Sequence, residues 1–323
     1  MRNLSRREKV VIGGRERPSL ANREDQLERL SLAAFWVSVA SCAFATATAW
    51  VPLLSGALHL PRPRLATAPA GVWPSSPPRG DGTTAAARRW SALPSWITLG
   101  ALLVSLGARG VAADRPPLAD LWEFTVAFAA AVSAFQHVFE RRTPGTNANV
   151  ALQPLVLLLL VAAALLPSRI EPLSPALRSS DILVAHVAVM VAAYGALTVS
   201  FGAALLQLLQ DSAWRLSRLQ AARRFDEIGY RAVVVGFPLL ALGIALGAYW
   251  ASTAWGRYWS WDPKETSSLV TWLAYGVYFH VHSLRRWSGR RSAVVLVAAY
   301  GCVLFSYFAI NLWVTGLHSY AGG

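Results

Sequence analysis

Asp181-Ile-Leu-Val-Ala-His-Val-Ala-Val-Met-Val-Ala-Ala-Tyr-Gly-Ala-Leu-Thr-Val-Ser-Phe-Gly-Ala-Ala-Leu-Leu-Gln-Leu208 carries a single charge, at its first position. At about 1.5 Å per residue a helix of this length reaches beyond the roughly 30 Å hydrocarbon core of a bilayer. Working outward, comparable apolar runs occur at 31–54, 93–110, 121–139, 149–167, 229–250, 266–284 and 292–314. A span in lipid must satisfy its own backbone hydrogen bonds, and the period-two alternation of barrel strands is absent, so these runs are helices. The expected fold class is all-α: a polytopic membrane helical bundle of about eight transmembrane helices. A basic tail at 1–30 precedes one membrane domain at 31–323, with a mobile loop at 55–92, rich in Pro, Arg, Ala and Gly from residue 61.

Composition agrees. Of the 323 residues, 54% are hydrophobic and 15% charged, with a mean hydropathy of +0.39; soluble domains run at about 25% charged. Disorder, a collagen-like fibre and a small disulfide scaffold are excluded. The net charge of +13 is explained by arginines marking cytoplasmic loops, so no nucleic-acid partner is expected. Cys42 and Cys302 both lie in apolar spans and form no CxxC, which argues against a thiol-redox protein or a c-type haem acceptor. No signal peptide is expected.

Loops 55–92, 140–148, 209–228 and 285–291 hold five, two, four and four arginines. Loops 109–120, 168–180 and 251–265, together with the C-terminus, hold only six Arg or Lys. The first set is expected in the cytoplasm. Eight spans then place both termini outside, although the tail 1–30, with eight basic and five acidic residues, opposes this by charge. Gly243 and Gly247 in the sixth span form a GxxxG pair that permits close helix contact, and Pro238 should bend the same span; both features read as structural.

The loop 250–266 is the chemically informative stretch. Trp250, Trp255, Tyr258, Trp259 and Trp261 fall within twelve residues of one outer loop. An interfacial aromatic belt explains one or two tryptophans per helix end. A cluster of this density suits a flat apolar ligand such as a porphyrin. Asp262-Pro-Lys-Glu265 reads as a helix start, with Asp262 as N-cap, Pro263 at the first helical position and Glu265 as the reciprocal cap. Arg257 and Lys264 are placed to meet carboxylates such as haem propionates.

Intramembrane ionisable groups are functional candidates. His186 lies five residues inside the outer end of the fifth span, and His318 just past the outer end of the eighth. Two imidazoles flanking a flat aromatic site are what a bis-His haem iron needs. His280, 17 residues beyond Pro263, lies roughly 26 Å deeper and cannot share a ligand with that pair. His280 and His282 face apart as i,i+2 neighbours. His282 is expected at the interface, and His59 and His137 at loop or span-end positions without a role. Glu123 is expected to make a structural hydrogen bond.

These residues carry a resemblance. Trp255-Gly-Arg-Tyr-Trp-Ser-Trp-Asp-Pro-Lys-Glu-Thr266 resembles the tryptophan-rich WWD signature of haem-handling proteins. It is most similar to that of the CcsA/ResC cytochrome c biogenesis proteins of the system II pathway, labelled CcsB in actinobacteria. The resemblance extends through Trp272-Leu-Ala-Tyr-Gly-Val-Tyr-Phe-His280, Asp181-Ile-Leu-Val-Ala-His186 with Tyr194, Gly236-Phe-Pro-Leu-Leu240 and Gly316-Leu-His-Ser-Tyr320, covering roughly residues 90–320. It differs at Ser267, where many members have Trp, and at Asp120-Leu-Trp-Glu123.

The resemblance implies a protein of the plasma membrane that, with a ResB-type membrane partner, moves haem b to the outer face and attaches it to the CxxCH of apocytochrome c. A thiol-reducing thioredoxin-like protein would be involved indirectly. It further implies that His186 and His318 are external axial ligands, that Trp255, Trp259, Trp261 and Asp262 belong to the haem platform, and that His280 serves a deeper haem site completed by the partner. No general acid or base separate from the haem ligands is expected, so synthase activity would belong to the complex. Three readings compete: a WWD protein delivering haem within the ABC-transporter-linked maturation system, an electron-transferring membrane cytochrome b, and a scaffold anchored by its tryptophans.

Overall fold

The computed structural model describes residues 20–58, 82–143, 148–170, 181–210, 222–284 and 289–309. They form eight helices: α1 (Leu20–Leu58), α2 (Gly82–Ala113), α3 (Leu121–Arg142), α4 (Asn149–Ala164), α5 (Asp181–Gln210), α6 (Ala222–Trp255), α7 (Pro263–Ser283) and α8 (Arg290–Leu304). A π-helical turn, Phe305–Ala309, continues α8. No strand occurs among the described residues. Segments of α1, α2, α5, α6 and α8 with its π turn are long and apolar enough to cross a membrane. The expected helical bundle is therefore present. The N-terminal tail before residue 20 and the stretch 59–81 of the expected mobile loop lie outside the described residues.

Several helices outrun their apolar cores. α1 begins at Leu20, not near residue 31, because Arg23, Glu24, Asp25, Glu28 and Arg29 tolerate helix, and all but half-buried Glu28 stand exposed. α2 begins at Gly82 for a similar reason: Ala85-Ala-Ala-Arg-Arg89 favours helix though it is not a membrane sequence. α6 runs without a break through Pro238.

The helices alternate in direction, as the paired contacts show. Ser31 on α1 meets Ser105 near the end of α2 at 3.3 Å. Trp50, late in α1, donates from its indole to the Val150 carbonyl at the start of α4 (2.9 Å). His186 near the start of α5 meets Gly243 late in α6. Ser267 at the start of α7 meets Ser306 just beyond α8 at 3.0 Å. One end of the bundle thus gathers the starts of α1, α3, α5 and α7 with the ends of α2, α4, α6 and α8. The loop 256–262 lies at that end, and α1 starts there too, as the alternation of the helices requires.

The apolar core takes residues from all eight helices, with Phe35, Leu102, Trp122, Phe128, Leu160 and Leu197 fully or almost fully buried. Buried polar groups are threaded through it in pairs, as burial demands. Gln136 binds Asn149 and receives the Gln153 amide, while the Cys42 thiol donates to Gln153. Thr198 and Tyr300 join α5 to α8 at 2.8 Å.

Close approach of backbones holds the second half together. Gly195 on α5 faces Ala131 on α3, where a Cβ would lie 2.8 Å from the Ala131 Cβ and 3.0 Å from its carbonyl carbon. Backbone cannot yield to a methyl group, so Gly195→Ala should cost about 1–3 kcal/mol by overpacking. Gly100 has no atom within 4 Å of its would-be Cβ, and Gly100→Ala should stabilise by up to about 1 kcal/mol. Thermal unfolding of the two variants in detergent should move in opposite directions.

Candidate functional site

The turn from α6 to α7 is built by its backbone. Gly256, with φ of +73°, takes the left-handed conformation that ends α6. Asp262 starts α7: its carboxylate accepts from the Lys264 amide at 2.9 Å, with Pro263 at the first helical position. Glu265 completes the capping box and does more. One of its oxygens accepts from the Asp262 amide at 3.1 Å, the Ser260 amide at 2.8 Å and the Ser260 hydroxyl at 3.1 Å. Between these anchored residues Trp261 is held at φ +59°, a conformation that costs a non-glycine residue roughly 1–2 kcal/mol.

That geometry sorts the aromatic residues. Trp250 is 4% exposed and stands edge-on to Trp255 at 4.9 Å, so it is a buried prop. Trp255 and Trp259 are half-buried. Trp261 is 69% exposed and Tyr258 62%, and Trp261 stands perpendicular to Trp259 at 5.8 Å. The loop therefore presents indole and phenol rings to its surroundings instead of closing on itself. Arg257 is exposed beside them and Lys264 half-buried. Ser267 points elsewhere: it is buried between α7 and α8, bonded to Ser306.

His186 sits at the same end. Its Nδ1 lies 2.7 Å from the Gly243 carbonyl oxygen, and its ring lies directly over Gly247. Gly247 is eight residues before the end of α6, or about 12 Å along the helix from Trp255. Since a carbonyl oxygen only accepts, Nδ1 carries the proton in the neutral ring and Nε2 the lone pair. An imidazole with that tautomer, at the same end as the exposed flat rings, is of the kind that can bind a porphyrin iron. His318 lies outside the described residues.

His280 is far from this group. It is exposed in the last turn of α7, in line with exposed Val270, Leu273, Val277 and Leu284. His282 faces the other way, 3.3 Å from the Asp226 carboxylate and stacked on Tyr230 at 4.7 Å. Asp226 also accepts from Gln207 and Ser292, so His282 belongs to a polar knot joining the far ends of α5 to α8. His137 is buried and stacked on Trp96 at 3.8 Å. Among the described residues no cluster of three or more His, Cys, Asp or Glu could hold a metal ion by itself.

Sequence reasoning missed Arg109. It is fully buried near the end of α2, 2.7 Å from Glu123 and 3.2 Å from Asp120, and it donates to the carbonyls of Ser168 and Arg169. Arg115 takes the other oxygen of Glu123 at 2.7 Å. Glu123 thus has the structural role expected of it, within an ionic clip that ties α2 and α3 to the end of α4. Burial and the neighbouring Glu123 charge push the Asp120 carboxyl above the ordinary range, against the pull of Arg109. The signal was available: Arg109 is the one charge in its run, 93–110, and such a charge needs a partner.

The cytochrome C assembly protein family matches residues 117–318, which takes in α3, the aromatic loop and all of α5 to α8. The cytochrome c biogenesis protein CcsA of Synechococcus elongatus is 33% identical over 267 residues, covering 67% of this chain and 82% of the relative. CcsA of Parasynechococcus marenigrum is 36% identical over 236 residues, covering 63% and 77%. CcsA of Microcystis aeruginosa is 32% identical over 270 residues, covering 67% and 82%.

Two outcomes test the local architecture. Arg109→Met takes the guanidinium from one oxygen of buried Glu123 and leaves Arg115 on the other; it should cost about 1–3 kcal/mol of stability, read as a lower unfolding midpoint in detergent. Glu265→Ala removes one acceptor from three donors, so the amides of Ser260 and Asp262 should exchange hydrogen faster while those of central α7 keep their protection.

Proposed function

Because the chain belongs to the cytochrome c assembly protein family, and so is a multi-pass membrane protein with a role in cytochrome c biogenesis, we propose that it receives haem b, presents it at the outer face of the plasma membrane and, with a ResB-type partner, promotes its attachment to the CxxCH of apocytochrome c. The observation that carries this reading is the placement of His186, its Nδ1 committed to the Gly243 carbonyl, at the same end as the exposed rings of Tyr258 and Trp261. A thioredoxin-like protein that keeps the client thiols reduced would act before this step.

In this reading haem is the substrate. Trp255, Tyr258, Trp259 and Trp261 offer it flat apolar surface, with Asp262 fixing the end of the loop on which they stand. Arg257 and Lys264 meet its propionates. His186 and His318 bind the iron from its two sides, which holds the porphyrin still while its vinyl groups face the client. Each cysteine thiol then adds across one vinyl group. Sulfur joins one vinyl carbon and the thiol hydrogen goes to the other, so no net electron transfer occurs. The histidine of the CxxCH replaces one protein ligand and the product leaves. Catalysis is mainly orientation, a contribution that reaches about 7–11 kcal/mol in well-aligned systems. His280, exposed in the last turn of α7 at the far end of the bundle, would bind haem earlier on its route, opposite a ligand from the ResB-type partner.

The test is the absorption spectrum of the purified full chain, with and without the co-expressed partner, for wild type and the His186→Ala/His318→Ala variant. A b-type spectrum that the double substitution abolishes or shifts to a high-spin form is the expected result. Unchanged haem in the double variant would overturn the external pair, and absence of haem from every preparation would overturn the haem reading. Covalent attachment to a CxxCH peptide separates this function from simple electron transfer.

A further inference from the structure

We infer that Gly243 and Gly247 are positioning residues for His186, setting both the tautomer and the place of its ring. The inference rests on the reading of His186 as an iron ligand.

The observation behind it is a register between two helices. α5 and α6 pack antiparallel, and three side chains of α5 land on three glycines of α6. Leu197 meets Gly236, Met190 meets Gly243 and His186 meets Gly247. The steps match: seven then four residues down α5, seven then four up α6. At each glycine a Cβ would intrude. It would come within 2.6 Å of Leu197 Cδ2 at Gly236, 2.5 Å of Met190 Sδ at Gly243, and 2.7 Å of His186 Cε1 at Gly247.

The three contacts are not equivalent. Met190 is flexible, and its sulfur can move aside for a methyl group. The imidazole is rigid, and a Cβ on Gly247 would also lie 2.9 Å from Nδ1 and 3.3 Å from Nε2. Every ring nitrogen is affected, so the ring must leave its seat. Leaving it breaks the 2.7 Å hydrogen bond to Gly243. That bond is what assigns the proton to Nδ1 and the lone pair to Nε2, and such partners orient a metal-bound histidine and raise its basicity. The carbonyl is well suited to the task, since an oxygen engaged in its own helix keeps a second lone pair.

The experiment uses the full chain, purified with its membrane partner and titrated with haem b. Gly247→Ala should bind haem about 10–100-fold more weakly and shift its spectrum from low-spin to high-spin. Millimolar imidazole should restore the low-spin form, because a free ligand replaces a misplaced one but does not repair a damaged fold. Gly236→Ala disturbs the same helix pair at Leu197, away from His186, so it should retain the low-spin spectrum. A wild-type spectrum and affinity in Gly247→Ala, with both lost in His186→Ala, would overturn the positioning inference and leave the ligand reading standing. An unchanged spectrum in His186→Ala would overturn both. Failure of imidazole to restore a folded Gly247→Ala protein would assign the effect to packing and overturn the inference. Should Gly247→Ala not accumulate, nitrogen-15 spectra of histidine-labelled wild type decide it, with the His186 signal identified by its loss in His186→Ala. Protonation at Nδ1 is expected, and protonation at Nε2 overturns the inference.

Discussion

The contact on which the functional end depends is the seating of α5 on α6. Lipid tails are as apolar as leucine, so helices in a bilayer gain little from hiding apolar surface and associate through close packing and hydrogen bonds. Gly236, Gly243 and Gly247 supply both. Their missing side chains bring the α6 backbone against Leu197, Met190 and His186, and the Gly243 carbonyl then accepts a hydrogen bond from α5. Each glycine forgoes about 1 kcal/mol of helix propensity relative to alanine. The close packing it permits offsets that cost, and the same contact fixes the height of His186 relative to the end of α6.

The other face of α5 extends the frame. Gly195 meets Ala131 on α3, and Gly202 meets Leu152 on α4. Hydroxyl contacts run from Thr198 to Tyr300 on α8 and from Thr125 on α3 to Tyr307 beyond α8. α5 is thus gripped from several sides, and the Arg109–Glu123 clip locks α2, α3 and the end of α4 at the level of the aromatic loop. These polar pairs act as fasteners between helices at chosen heights.

Much of this was legible in the sequence. The apolar runs located every helix, and Asp262-Pro-Lys-Glu265 gave the capping box before any coordinates. His280 and His282 facing apart followed from helical period alone. What could not be read were facts of register. Nothing local says that Gly247 lies opposite His186, because their separation of 61 residues is closed only by the antiparallel packing of two long helices. Likewise Trp250 and Trp261 look alike in a tryptophan-rich string, yet one is a buried prop and the other stands exposed. The difference comes from where α6 stops and from the left-handed turn at Trp261. The early starts of α1 and α2 were missed because hydropathy marks where a helix is apolar, not where it begins.

Two unrelated devices fix groups at the same end, and both belong to helices. The His186 ring is held by helix register, and the aromatic loop by the first turn of α7 through Glu265 and Asp262. Positions inherited from helices are set more finely than positions on free loops, which suits the orienting role proposed for this site. The strain at Trp261 fits this view. A left-handed tryptophan persists only where its surroundings over-determine it, and here the anchors lie immediately on either side, at Ser260 and Asp262, both bound to one carboxylate. With those anchors in place the backbone that carries the exposed indole is fixed, so the loop presents its rings from a set position.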